Sequence, residues 1–137
     1  MRTEINFVSV IIGIIGYAFG GWTLALQTLV FVMVVDYVTG LSVAFKKRSN
    51  KTKSGGLSSS VGAMGLLKKV AILALCAVAY RIDILVHSEG LVYNAVVCFY
   101  ISNEAISILE NLGKLKVKIP KKLRVVLDAL QEEANGD

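Results

Sequence analysis

A stretch of 31 residues without a single charge, residues 5–35, constrains the fold more than any other feature of this sequence. As one helix it would be about 46 Å long, whereas the hydrocarbon core of a bilayer is roughly 30 Å thick. The apolar run continues to Phe45, and the only adjacent glycines inside it are residues 20–21. Because glycine weakens helices and permits turns, the run predicts two helices, at about residues 5–19 and 22–45.

Two more apolar stretches, at about residues 66–86 and 91–109, follow a loop rich in Ser and Gly at residues 54–60. The whole chain is 55% hydrophobic and 18% charged, whereas soluble domains are nearer 45–50% apolar and about 25% charged. We therefore predict an all-α integral membrane protein whose membrane domain, residues 1–112, has three to four transmembrane helices. The first helix is short for a span, so it either crosses the membrane at a tilt or lies in the interface.

A cleaved signal peptide is the alternative for the first helix, because small residues at Ala18 and Gly20 follow an apolar core. Glu4 offsets Arg2 at the start of the chain, so the positive charge that such a peptide needs is weak. We favour a retained helix.

The tail, residues 113–137, is basic and changes from apolar to amphipathic. Four apolar residues follow helical spacing after Pro120, namely Leu123, Val126, Leu127 and Leu130. Basic residues occupy the first turns despite the unfavourable helix dipole, and these are Lys121, Lys122 and Arg124. This arrangement predicts an amphipathic helix that contacts either the anionic surface of the inner leaflet or a protein partner.

The charges also predict an orientation. Residues 46–69 carry seven basic side chains and no acidic one: Lys46, Lys47, Arg48, Lys51, Lys53, Lys68 and Lys69. By the positive-inside rule this segment and the basic tail are cytoplasmic, and the nearly balanced link at residues 81–90 is outside. The net charge of +5 is thus explained by topology and contact with an anionic bilayer. Nucleic-acid binding is not expected, since no stacking aromatics accompany the basic segment.

Catalytic and metal-binding patterns are missing from the sequence. The single histidine, His87, lies in the polar link, and Cys76 and Cys98 lie within apolar runs with no base nearby in sequence. Neither zinc-ligand nor phosphate-loop spacing occurs. We expect no enzymatic activity, no metal and no cofactor.

Polar residues at membrane depth are the candidates for function. Asp36, Gly40 and Ala44 share one helix face, and Asn103, Ser107 and Glu110 share another, with Glu104 adjoining it. Gly16 and Gly20 form a GxxxG pair suited to helix packing.

Two interpretations of these residues stay open. In the first, Asp36 or Glu104 pairs with Lys68 or Lys69 of the same chain and holds its helices together. In the second, the polar faces pair between subunits or line a water-filled lesion.

Several segments together resemble the phage lysis holins and toxin-secretion holins (the phage holin family 4 type). They are Phe-Gly-Gly-Trp at residues 19–22, Asp-Tyr-Val-Thr-Gly at 36–40, Gly-Ala-Met-Gly-Leu-Leu-Lys-Lys at 62–69, Phe-Tyr-Ile-Ser-Asn-Glu-Ala-Ile-Ser-Ile-Leu-Glu-Asn at 99–111, and Ile-Pro at 119–120 before the Leu-rich tail. The order and spacing of these segments cover nearly the whole chain. Thr23 departs from the resemblance, which leads us to expect an acid after the Gly-Gly-Trp.

The resemblance implies a homo-oligomer in the bacterial cytoplasmic membrane that opens lesions and releases an endolysin or a toxin, with an antiholin as a possible regulator. No cofactor is implied. Oligomer pairing or lesion lining would then involve Asp36, Tyr37, Gly40, Asn103, Glu104, Ser107 and Glu110. The alternatives are a small ion or proton-coupled transporter or channel subunit, and a membrane scaffold that recruits a soluble partner through its tail.

Overall fold

The computed structural model describes residues 6–136, and within that range the chain forms five helices and no strand. The helices are α1 (Phe7–Phe19), α2 (Leu24–Phe45), α3 (Ser59–Val86), α4 (Leu91–Lys114) and α5 (Lys121–Asn135). The predicted all-α class is confirmed. Residues 1–5 and 137 lie outside the described residues, and with them Arg2, Glu4 and the first residue of the predicted first helix.

The predicted break between the first two helices is confirmed. Gly20 ends α1 with φ 75°, and Gly21 follows with φ 130°, both in the left-handed region that glycine adopts at little cost. A Cβ on Gly20 would lie 2.6 Å from the Tyr80 ring of α3, so a side chain is excluded at this contact. Thr23 then caps α2, since its Oγ1 accepts a hydrogen bond of 3.3 Å from the Leu26 N–H.

Two helices are longer than predicted. α3 begins at Ser59 rather than near residue 66, because the Ser58 hydroxyl caps it by accepting a 3.5 Å hydrogen bond from the Val61 N–H. Residues 59 and 60, assigned from composition to the Ser- and Gly-rich loop at residues 54–60, are therefore helical. α4 continues to Lys114 rather than ending near residue 109, so the predicted domain boundary at residue 112 falls inside its last turn.

Three helices, α2, α3 and α4, are long and apolar enough to cross a membrane, whereas α1 is shorter. Large apolar side chains on these helices point away from the protein, for example Phe31 (67% exposed), Val70 (62%) and Leu85 (79%). The apolar excess of the sequence is therefore surface for lipid, and the chain is a membrane protein.

The three long helices form a small bundle in which α2 packs chiefly against its parallel neighbour α4, and α3 runs antiparallel beside them. The end that carries residues 46–58 is called the loop end below, and the end that carries residues 87–90 is called the link end. Five buried residues form the core, namely Leu29, Met33, Cys76, Tyr93 and Val97. Among the described helices, α1 contacts only α3, and α5 packs against α4.

Candidate functional site

A lysine of α3 joins acidic residues from the two other long helices. Lys69 Nζ donates a hydrogen bond of 2.8 Å to Asp36 Oδ2 of α2, and it also forms an ion pair with Glu104 Oε2 of α4. The side chains of all three residues are only 10–13% exposed. The pairing of acids with Lys69 of the same chain, one of the two interpretations left open by the sequence, is therefore observed.

An amide extends this cluster toward the loop end. Asn111 Nδ2 of α4 lies 3.2 Å from Asp36 Oδ1, 3.3 Å from the Asp36 carbonyl oxygen and 3.0 Å from Thr39 Oγ1. Thr39 donates in turn to the Asp36 carbonyl oxygen at 3.0 Å. The five residues Asp36, Thr39, Lys69, Glu104 and Asn111 are called the polar cluster below, and they connect all three long helices.

The polar cluster lies at membrane depth. Asp36, Lys69 and Glu104 each lie nine or ten residues from the loop end of their own helix. At 1.5 Å per residue, that places them roughly 15 Å inside the span. Charges at such depth are costly unless they are paired. One ammonium between two carboxylates, with an amide donating to one of them, provides that pairing.

A cavity of about 510 Å³ adjoins the polar cluster, between α2, the first turns of α3 and the loop at residues 49–58. Tyr37, Gly40 and Ala44 line it from α2, so three of the residues selected from the sequence share one wall. The Tyr37 hydroxyl is 3.3 Å from where a Cβ on Gly62 would lie. Small residues of α2 and α3 thus leave this space open among the described residues.

The polar face predicted on α4 separates into two parts. Glu104 is buried and pairs with Lys69 of α3, whereas Asn103 and Ser107 are half-buried and Glu110 is exposed. Of this second part, Glu110 is the residue on the surface of the chain. The role of the second part in oligomer pairing stays a prediction. Asn111, which was not among the predicted residues, is buried against α2.

The predicted GxxxG pair is also divided. Gly20 contacts α3 through Tyr80, but a Cβ added to Gly16 would meet nothing within 4 Å. Six of the basic residues predicted to contact lipid are exposed at the loop end and in the tail: Lys46, Lys47, Arg48, Lys121, Lys122 and Arg124. Lys68 is also exposed, but it lies nine residues inside α3. Lys69 differs from them, because it is committed to the polar cluster.

A second buried acid, Asp83 at the link end, was not selected from the sequence. Its carboxylate accepts from the Val92 N–H at 2.9 Å and the Tyr93 N–H at 2.7 Å, and it also bonds the Ser88 hydroxyl. Asp83 therefore caps α4 across the link. The sequence offered one signal for this cap: Asp83 lies eight residues before Leu91, where α4 begins directly after Gly90.

The other missed features are Asn111 and a contact that holds α1. Asn111 lies seven residues after Glu104, which is two helical turns and so the same face. Arg81 of α3 lies over the Tyr17 ring of α1, with 3.6 Å between its Cζ and the ring centroid. In residues 6–136 no three His, Cys, Asp or Glu side chains are grouped so that they could hold a metal ion.

Comparison with known proteins gives a consistent result. The model of the Bacteriophage holin family matches residues 13–132. An uncharacterized protein of Listeria monocytogenes is 39% identical over 123 residues, with 88% of this chain and 83% of the relative covered. An uncharacterized protein of Halalkalibacterium halodurans is 34% identical over 128 residues, with 90% of each chain covered.

A relative with a functional name comes from Bacillus phage phi105. It is named a probable holin and is 32% identical over 95 residues, with 69% of this chain and 65% of the relative covered. No solved structure matches the chain.

Proposed function

The chain belongs to the bacteriophage holin family, and from that premise we propose that it oligomerises in the bacterial cytoplasmic membrane and opens lesions that pass an endolysin or a toxin. The observation that carries the proposal is the polar cluster, which places two acids and a lysine roughly 15 Å inside three lipid-exposed helices. Such residues are expensive in a membrane and are usually retained for function.

The cluster suggests how one chain can be harmless before lesions open. Within a single chain Lys69 pairs with both Asp36 and Glu104 and leaves one net negative charge among the three, so the helices can stay in lipid without a hydrated path. When copies associate, the same side chains can exchange partners between subunits. Together with the half-buried Asn103 and Ser107 and the exposed Glu110, they would then provide the polar wall that a water-filled lesion requires.

The topology follows from the basic residues. The loop at residues 46–53 and the tail carry most of the positive charge, so both are assigned to the cytoplasmic side. The link end, with Asp83 and Glu89, is then outside, and the polar cluster lies in the cytoplasmic half of the membrane. The endolysin would reach the lesion from that side. An antiholin could act on the same oligomer.

Induced expression in bacteria, with and without a co-expressed endolysin and with a folded fluorescent protein in the cytoplasm, tests this function. We expect respiration to halt abruptly, and the culture to lyse only when endolysin and this chain are present together. Endolysin alone is the control. Leakage of protons without release of the fluorescent protein, and without lysis, would instead identify a transporter or channel subunit.

The scaffold alternative is tested by deleting residues 121–137. A scaffold depends on its tail, so the deletion would abolish its activity. A holin built on the three long helices should still open lesions when the truncated chain accumulates in the membrane to the same level.

A further inference from the structure

The cavity beside the polar cluster has the size and lining of a ligand site. Its volume of about 510 Å³ lies within the range of roughly 300–1,000 Å³ that is usual for small-molecule sites. α2 and α3 make few contacts with each other, so the cavity forms a crevice between them. Two apolar residues at its rim are exposed, namely Leu41 (39%) and Met64 (54%), and both belong to the helices that cross the membrane.

Small residues create the space. Gly40 of α2 and Gly62 and Gly65 of α3 line the crevice, and Tyr37 is the large side chain that lies against both α3 glycines. Apolar side chains complete the walls, among them Val61 and Ile72. A hydrocarbon chain would therefore find apolar surface in the deeper part of the crevice.

The charge around the cavity is unbalanced toward positive. Lys51, Lys68 and Lys114 line it, and none of the three forms an ion pair. Both ion pairs that occur in residues 6–136 belong to Lys69, which both carboxylates of the cavity already share. Four lysines and two acids thus line the cavity, and their charges sum to +2 beside an apolar crevice.

The loop above the cavity is held in place and offers further polar groups. Arg48 donates a 3.2 Å hydrogen bond to the Lys114 carbonyl oxygen, and Lys114 Nζ donates a 3.1 Å bond to Asn50 Oδ1. Within the loop, Thr52 donates to the Gly56 carbonyl oxygen at 2.9 Å. Lys51 therefore belongs to a loop that is bonded to Lys114 at the end of α4, while Lys68 reaches the cavity from α3.

We propose that this cavity binds an anionic phospholipid of the leaflet in which the loop end lies, with the headgroup among Lys51, Lys68 and Lys114 and one acyl chain along the glycine-lined crevice. A soluble anion would satisfy the lysines but would leave the apolar walls uncovered. A neutral lipid would cover the walls but would leave the lysines uncompensated. Only a lipid with an anionic headgroup matches both parts of the site.

Binding is tested on the purified full chain in neutral detergent by native mass spectrometry. Phosphatidylglycerol and phosphatidylcholine with identical acyl chains are titrated separately. We expect half-maximal retention of phosphatidylglycerol at a concentration about tenfold or more below that of phosphatidylcholine, since each lysine near an anionic lipid contributes measurably to binding. Equal retention of the two lipids would overturn the proposal.

Two variants with the same loss of charge locate the site. The triple variant Lys51→Gln, Lys68→Gln and Lys114→Gln should lose the preference for phosphatidylglycerol. The matched variant Lys53→Gln, Lys116→Gln and Lys118→Gln removes three exposed charges that do not line the cavity, and it should keep the preference within about twofold of the unmodified chain. An equal loss in both variants would show general attraction to a basic surface and would contradict a defined site.

A third variant keeps every lysine and tests the apolar part. A Cβ on Gly65 would lie 3.8 Å from the Tyr37 ring, which is an ordinary contact, so the side chain of Gly65→Leu can extend into the crevice. Retention of phosphatidylglycerol should fall about tenfold. If soluble glycerol phosphate displaced the lipid from the unmodified chain, the site would be one for free anions. Because no step requires lysis, the result is independent of whether the chain opens lesions.

Discussion

The two ends of the bundle each bury an acid, but they compensate it in different ways. At the link end, Asp83 is satisfied by the N–H groups of Val92 and Tyr93 and by a serine hydroxyl, all within ten residues along the chain. At the loop end, Asp36 and Glu104 depend on Lys69, which is 33 and 35 residues away and on another helix.

This difference distinguishes Asp83, whose hydrogen-bond partners are fixed, from Asp36 and Glu104, whose partner could be replaced by the same lysine of another copy. The partners of Asp83 are backbone groups at the start of its neighbouring helix, so a second copy of the chain offers no better ones. The partner of Asp36 and Glu104 is a side chain, and an identical lysine is present in every other copy. Under the proposed association of copies, the polar cluster can therefore change partners, whereas Asp83 keeps its own.

The largest effect is expected from Lys69→Met. It leaves two carboxylates buried together without a cation, and breaking a buried ion pair in this way costs about 3–5 kcal/mol. The free energy of unfolding, measured with a denaturing detergent in mixed micelles, should fall by that amount. Lys68→Met removes the adjacent, exposed charge and is the matched control, with an expected change below about 0.5 kcal/mol.

Neutralising the whole cluster should reverse that loss. In the triple variant Asp36→Asn, Lys69→Met and Glu104→Gln no buried charge is left uncompensated, and such replacements are often neutral or stabilising. Its free energy of unfolding should return to within about 1 kcal/mol of the unmodified chain. A triple variant as unstable as Lys69→Met would show that the cluster acts through shape rather than charge.

Asp83→Ala is expected to have the next largest effect. It removes the cap of α4 and should lower the free energy of unfolding by about 1–2 kcal/mol. Hydrogen exchange should accelerate at the first turn of α4 and remain unchanged around Asn111, because the defect is local. Faster exchange at both ends would contradict the separation of the two regions.

Asn111→Leu should cost about 1 kcal/mol, because it removes hydrogen bonds to Asp36 and Thr39 while keeping a similar volume. The ion pairs of Lys69 remain, so the loss should be well below that of Lys69→Met. Unfolding in mixed micelles measures both variants side by side. A loss as large as that of Lys69→Met would mean that Asn111, rather than the lysine, holds α2 to α4.

The smallest effect is expected at α1. Tyr17 is 74% exposed, and its ring faces Arg81, an arrangement worth about 0.5–1 kcal/mol at an exposed site. Tyr17→Leu should therefore accelerate hydrogen exchange in α1 without a change in the three long helices. Tyr17→Phe keeps the ring face and should exchange like the unmodified chain. Slow exchange in both variants would show that other contacts hold α1.

Much of the fold could be predicted from sequence because the signals are local. The glycines at residues 20–21, the length of the uncharged run and the spacing of the later apolar stretches are each visible within a short window. The start of α3 was missed because the apolar stretch begins only near residue 66, while Ser58, counted as part of the Ser-rich loop, caps the helix ahead of it. The first residue of α3 is therefore set by helix capping and not by the local composition.

The polar cluster could be predicted only in part. Asp36 and Glu104 stood out as acids in apolar helices, and Lys69 was one of two possible partners. Choosing between Lys68 and Lys69 requires the rotation of α3 relative to α2 and α4, which is a property of packing. Asp83 was missed because it did not stand out in the sequence. An acid near the end of a span looks like an ordinary boundary residue until its partners in α4 are known.

Lysis by the neutral triple variant tests most directly whether the charges of the polar cluster serve lesion formation rather than folding. Asp36→Asn, Lys69→Met and Glu104→Gln are combined, the chain is expressed with an endolysin, and the time to lysis is compared at equal membrane accumulation. We predict a folded protein that accumulates normally and fails to lyse the culture, whereas Asp83→Asn at equal accumulation lyses on the schedule of the unmodified chain. Lysis by the triple variant on that same schedule would contradict a role for these charges in opening the membrane.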